Sequence, residues 1–264
     1  MNELETLKKT ILEQYPRLNE NTEFKFACHP GVSCFNQCCA DVNIFLTPYD
    51  VLRLKNHLRI DSQELLDKYT QLVADPKQQL PAVQLRMTET ETKHCYFVDQ
   101  EKGCTVYENR PWSCRMYPVG QASPKETGND EDEKFFFILH EEVCKGFEDG
   151  KSWTIKEWMK DQGVDPYDKF GEKFKEITFN NFFEQGKVLT PQKVDMYFLA
   201  LYNLDRFKDF IFKTTFLKRF DIEKDKIEKI KNDDEELLEF AFDWIRFSLF
   251  GEKTVNIKSE LLKK

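Results

Sequence analysis

The chemistry of this chain lies in its sulfur. Eight cysteines occur in 264 residues, and four of them, Cys28, Cys34, Cys38 and Cys39, fall within the stretch CHPGVSCFNQCC. Cys95, Cys104, Cys114 and Cys144 follow singly, and none appears after residue 144. Soft thiolate donors suit zinc, iron and iron–sulfur clusters better than magnesium or calcium. Each such centre takes about four donors. Eight thiols therefore complete two four-thiolate sites, or one site with thiols in reserve.

The adjacent pair Cys38–Cys39 bears on that choice. Neighbouring side chains point to opposite faces of a strand, or about 100° apart on a helix. Two such thiols reach one ion less easily than residues spaced further apart. The geometry favours one thiol toward each of two sites, or one ligand beside a thiol that bridges or reacts. Cys34 and Cys38 can then face one way, with Cys39 turned to a second group. No Cys-x-x-Cys occurs in the chain, so neither the zinc-finger knuckle nor the bacterial ferredoxin run is present.

Cations flank the later thiols. Arg110 and Arg115 bracket Cys114, and Lys145 follows Cys144. An all-thiolate centre is negatively charged, and guanidinium groups offset that charge and orient the sulfurs. Arg110 and Arg115 are accordingly candidates for cofactor binding. His29 and His94 adjoin cysteines and His140 stands four residues before Cys144; each is an alternative donor. His57, remote from the cysteines in sequence, reads as structural.

The elements that must position these residues are legible in part. Leu4, Leu7, Ile11 and Leu12 predict a helix over 1–20, and Val42–Leu46 a strand. Thr47-Pro48-Tyr49-Asp50 and Asp61-Ser62-Gln63-Glu64 carry capping signals for two helices, the second reaching about Val73. Residues 74–82 read as a loop, Val83–Met87 as a strand, and Pro111 as the start of a single turn carrying Cys114. The acidic stretch 121–134 reads as an exposed loop and Lys134–His140 as a buried strand. Beyond it, Thr154-Ile-Lys-Glu157 caps a helix that Gly163 can close. A long helix runs from Thr190-Pro191 through Leu204, and Asp233–Phe250 is the clearest amphipathic one. The fold class expected is α+β, mainly helical: a cysteine-rich region 1–150 with short strands, followed by a helical region 151–264 packed on it.

Size and charge exclude other classes. A chain of this length builds a core without disulfide staples. The amphipathic N-terminus lacks the features of a signal peptide, and the longest apolar run, Met196–Tyr202, is far below the roughly 20 residues of a membrane span. A cytoplasmic protein with reduced thiols and no membrane partner is expected. The net charge of −8, without a basic stripe, argues against duplex nucleic acid as a partner. The 24 Phe residues mark an aromatic core.

The ordered series Cys34-Phe-Asn-Gln-Cys38-Cys39, Leu46-Thr47-Pro48-Tyr49-Asp50, Cys95-Tyr-Phe, Gly103-Cys104-Thr-Val-Tyr107 and Arg110-Pro111-Trp-Ser-Cys114-Arg115-Met-Tyr-Pro118 resembles the YkgJ-type cysteine-cluster family. That resemblance covers about residues 26–146 and implies a zinc- or iron-chelating domain. The family often opens with Cys-x-x-Cys, whereas five residues separate Cys28 from Cys34 here, which sets Cys28 apart from the other ligands. A similar cysteine cluster occurs in flagellin lysine methylases, which resemble iron–sulfur proteins using S-adenosylmethionine.

Three functions follow as expectations. The first is a metal-binding protein holding an iron–sulfur cluster, or a zinc or iron ion, through Cys28, Cys34, Cys38, Cys39, Cys95, Cys104, Cys114 and Cys144, with a redox or catalytic role. The second is a methyltransferase acting on protein lysine with S-adenosylmethionine as cofactor, although no GxGxxG occurs. The third is a zinc-stapled interaction module. Whether the chain is an enzyme, and which protein or small molecule is its partner, the sequence leaves open.

Overall fold

Short strands and helices alternate up to residue 154, and helices dominate thereafter. The computed structural model describes residues 15–73, 80–122, 134–148 and 150–261. In chain order the first elements are strands β1 (Glu23–Phe26) and β2 (Phe45–Leu46), helices α1 (Pro48–Leu58) and α2 (Ser62–Tyr69), and strands β3 (Thr70–Val73) and β4 (Ala82–Leu85). Then come β5 (Val98–Asp99), β6 (Gly103–Cys104), helix α3 (Trp112–Met116), and β7 (Val119–Ala122), β8 (Phe135–Ile138) and β9 (Lys151–Thr154). The remainder is α4 (Ile155–Asp161), α5 (Asp165–Thr178), α6 (Asn181–Glu184), α7 (Pro191–Leu201), α8 (Leu204–Lys213) and α9 (Phe216–Arg219). Strand β10 (Phe220–Asp221), α10 (Lys224–Asn232), α11 (Asp234–Phe250) and β11 (Asn256–Ile257) complete it. The architecture is α+β and mainly helical, as expected.

Helix starts follow the capping chemistry. Thr47 accepts from the Asp50 amide while the Asp50 carboxylate accepts from the Thr47 amide at 2.8 Å, and Thr154 and Glu157 repeat the arrangement. Each such cap stabilises its helix by about 1 kcal/mol. Asp61 accepts from the Glu64 amide at 2.8 Å, and Gly251, with φ 76°, closes α11.

Two helices are shorter than their apolar periodicity predicts. Helix α2 stops at Tyr69 because Thr70–Val73 pairs with β4, Thr70 opposite Leu85 and Val73 opposite Ala82. The long helix from Pro191 breaks at Tyr202–Asn203, whose amides both donate to the Phe198 carbonyl. The break lets Asn203 donate to Gln63 of α2 at 2.8 Å and lets Tyr202 reach the Leu46 carbonyl. Tertiary partners thus override local propensity. The predicted strand Val42–Leu46 contracts to β2. Of the helix predicted over 1–20, residues 1–14 lie outside the described residues, and Leu18 instead exchanges two backbone hydrogen bonds with Phe136. Residues 74–79 and 123–133 of the predicted loops also lie outside them.

All the small sheets are antiparallel. Strand β1 pairs with β9, Phe26 opposite Lys151, so the entry to the cysteine stretch is held by residues 125 or more positions away. One apolar cluster joins Tyr49, Leu52 and Leu54 of α1 to Phe170 of α5, Leu201 of α7, Phe207 of α8 and Leu237 of α11. Burying a side chain of this size contributes about 1.5–3 kcal/mol. A second cluster, Phe26, Met116, Val119, Phe136, Ile155, Trp158 and Val164, packs against Cys144, while Cys95 and Cys104 pack on the first. Among the described residues no helix is long and apolar enough to cross a membrane.

Candidate metal centre

The stretch from Cys28 to Cys39 is pinned at both ends. Just before Cys28, the Ala27 amide donates to the Gly146 carbonyl at 2.9 Å, which sets Cys28 beside Cys144. Only glycine fits there, since a Cβ on Gly146 would stand 2.6 Å from the Ala27 oxygen. Further on, Asn36 adopts the left-handed conformation (φ 68°) and opens a 3-10 turn, Gln37–Cys39. Its amide nitrogen donates to the carbonyls of Asp99 and Gln100 at 3.2 and 3.3 Å. The Phe35 ring packs over Gly103, where a Cβ would lie 2.8 Å from it. The stretch is thereby docked on the β5–β6 turn, with the cysteine pair in the tight turn just after Asn36.

The eight thiols fall into two groups. Cys28, Cys34, Cys38 and Cys144 line one narrow cavity with Phe26, Ala27, Tyr117, Val143 and Gly146, with room for about one water-sized body. The Cys34 sulfur accepts from the Lys145 amide at 3.1 Å, and the Tyr117 hydroxyl interacts with Cys144. Cys39, Cys95, Cys104 and Cys114 form the second group, each within electrostatic range of others in it. Here the Cys95 amide donates to the Cys39 carbonyl at 2.8 Å, and Cys104 pairs across from Val98. The Cys95 sulfur accepts from the amide of Phe97 at 3.5 Å, and Cys104 from that of Val106. In both cases the donor is two residues on, an arrangement that stabilises thiolate. Cys38 and Cys39 face different groups, and their thiols are hydrogen-bonded to each other.

Helix α3 delivers Cys114. The buried Asp50 carboxylate, at the start of α1, accepts from the Trp112 amide at 2.8 Å and so fixes the start of α3. Arg110 and Arg115 differ in what they touch. Buried Arg110 lies over the Tyr107 ring (3.7 Å), donates to Gln162, and interacts electrostatically with Cys28, Cys104 and Cys114, which belong to both groups. Arg115 directs its nitrogens to the carbonyls of Arg110 (3.1 Å), Gln162 (2.6 Å) and Glu108, and lies over Tyr167. It ties the cysteine region to the turn after α4.

The histidines have other surroundings. His29 Nδ1 accepts from the Gly31 amide, and His140 stacks on Phe147 at 4.4 Å. His57 bonds Thr105 and Asn109. His94 Nδ1 is buried with no hydrogen-bond partner among the described residues, beside the Ala40–His94 bridge.

Burial pushes the Cys28 thiol up to about 11, with the sulfurs of Cys38, Cys34 and Cys144 adding to the shift. The residue is exposed at the surface and also lines the cavity. Burial likewise raises Cys95 and Cys104, and takes Cys114 up to about 12. The hydrogen bond from Cys39 holds Cys38 down at about 7 and raises Cys39 itself. Most of these thiols keep their protons at neutral pH, and their anions repel one another. Among the described residues no three Cys, His, Asp or Glu side chains stand in coordinating geometry. Four sulfurs close on one point only around a cation that displaces their protons and offsets their charge. The donors in both groups are sulfur alone, which suits zinc or iron.

Sequence reasoning missed Asn36, Tyr117 and Gly146. Asn36 and Gly146 stand within or beside the cysteine motifs, but their roles depend on segments over 60 residues away.

No curated protein and no solved structure matches the chain. Residues 27–145 match the family model CxxCxxCC, described as "Putative zinc- or iron-chelating domain". The match runs from just before Cys28 to just after Cys144 and takes in all eight cysteines. Across that region the chain is similar to this cysteine-cluster, zinc- or iron-chelating family.

Proposed function

We propose that the eight cysteines form two four-thiolate centres, Cys28/Cys34/Cys38/Cys144 and Cys39/Cys95/Cys104/Cys114, holding iron as iron–sulfur clusters with a redox role. The observation that carries the partition is the sorting of the thiols into two groups of four, divided between Cys38 and Cys39. Amide-to-sulfur hydrogen bonds at Cys34, Cys95 and Cys104 and the buried Arg110 guanidinium support an anionic cluster. Arg110 serves as charge partner to both centres, and Arg115 positions Cys114 through the backbone it binds. The surface position of Cys28 gives electrons a short path to the first centre.

One observation favours a second reading, single zinc ions: the cavity at the first group has room for about one water-sized body, less than a multi-iron cluster occupies. In that case the centres staple residues 28–144 and carry no redox chemistry. Metal and acid-labile sulfide analysis of anaerobically purified protein separates the readings. Brown protein with iron and sulfide supports clusters; colourless protein with stoichiometric zinc overturns them. If iron is found, calorimetry with S-adenosylmethionine tests the methyltransferase alternative, and an absence of heat removes it.

A further inference from the structure

The two groups of thiols differ in access. In the second, Cys39 and Cys95 are tied by a backbone hydrogen bond, Cys104 lies in a paired strand, and Cys114 sits on α3 beneath the Asp50 contact. In the first, three members are held. Cys34 accepts from Lys145, Cys38 lies in the 3-10 turn behind Asn36, and Cys144 is met by the Tyr117 hydroxyl. Cys28 is exposed, and it leads into the exposed turn His29-Pro30-Gly31. The cavity wall beside it includes Val143, itself 53% exposed.

Resting on the two-centre reading, we propose that Cys28 is the exchangeable ligand of the first centre, its place open to a small external thiol. The cavity, with apolar walls at Phe26 and Val143, has room for about one water-sized body next to the sulfurs, so only the sulfur of an external thiol enters and its tail stays on the exposed Cys28 side. In the exchange the metal–sulfur bond to Cys28 breaks and a metal–sulfur bond to the incoming thiol forms. The thiol proton passes to Cys28 Sγ, and the oxidation state of the metal is unchanged. Ligand exchange of this kind leaves three protein donors fixed and one position for chemistry, as in centres with an open position. The second centre, whose four ligands are half-buried and none exposed, holds the fold.

The test uses the anaerobically purified, metal-loaded full chain. Brief treatment with iodoacetamide, read by peptide mass spectrometry, is expected to alkylate Cys28 first while native mass spectrometry shows both centres retained. The Cys28→Ala variant is expected to keep both centres and to gain one bound 2-mercaptoethanol when that thiol is added. Cys34→Ala and Cys104→Ala each lose a centre and gain no thiol. First labelling at any second-group cysteine overturns the proposal, as does Cys28→Ala losing its centre without rescue. A wild-type chain that carries a single centre overturns the two-centre reading itself, so the failures are distinguishable.

Discussion

Replacing Gly146 by alanine should disable the first centre without touching a sulfur. The new Cβ would lie 2.6 Å from the Ala27 oxygen and 2.7 Å from the Phe26 ring, where ordinary contact begins at 3.4 Å. The segment 26–28 and the segment 144–146 must therefore separate by about 0.8 Å. Metal–ligand distances tolerate only about 0.2 Å, so the shift of the 144–146 segment carries Cys144, and with it the Lys145 amide that donates to Cys34, away from the first centre. The overpacking itself costs about 1–3 kcal/mol. The assay is metal per chain after gel filtration, with a urea midpoint for stability. Gly146→Ala is expected to retain half the metal of the parent. Gly171→Ala, on α5 where no described residue comes within 4 Å of the new Cβ, is expected to retain all of it. Full metal in Gly146→Ala would refute the reasoning, and so would loss of the second centre.

Other predictions follow from the same contacts. Arg115→Met leaves three backbone carbonyls without their donor and should destabilise the fold by about 3–5 kcal/mol; a urea-melt loss below about 1 kcal/mol would contradict the clamp. Asn36→Gly removes the bonds to Asp99 and Asp99's neighbour Gln100, whereas Asn36→Ala also forces alanine to φ 68°. The alanine variant should be the less stable by about 1–2 kcal/mol, and equal stabilities would argue against the left-handed turn. For metal-free protein, thiols raised above their ordinary 9.0 favour the folded state below that pH, where both states keep their protons. That stability is lost as pH rises through about 11 for Cys28 and about 12 for Cys114. Metal binding has the opposite slope, because each thiolate bound releases a proton, and affinity should climb with pH. A pH-independent affinity would speak against thiol ligands.

Much of this arrangement is legible in the sequence because it is local. The Thr47–Asp50 and Thr154–Glu157 boxes lie within one turn, and the divergence of Cys38 from Cys39 follows from their adjacency. What brings the later cysteines back is not local. The β1–β9 pairing joins segments more than 120 residues apart, and four-residue strands of mixed polarity give no periodic signal. The end of α2 at Tyr69 is set by β4, and the break at Asn203 by Gln63. Arg110 and Arg115 look alike in sequence, yet one faces the sulfurs and the other faces carbonyls. That distinction appears only once the turn after α4 is in place, since Gln162 receives both side chains.

The central claim is that eight thiols make two centres divided between Cys38 and Cys39. Native mass spectrometry of the anaerobically purified full chain tests it most directly, by counting metal-containing centres and the protons they displace. The account predicts two centres per chain with all eight thiol protons displaced. A single centre, with four cysteines still protonated, would contradict it.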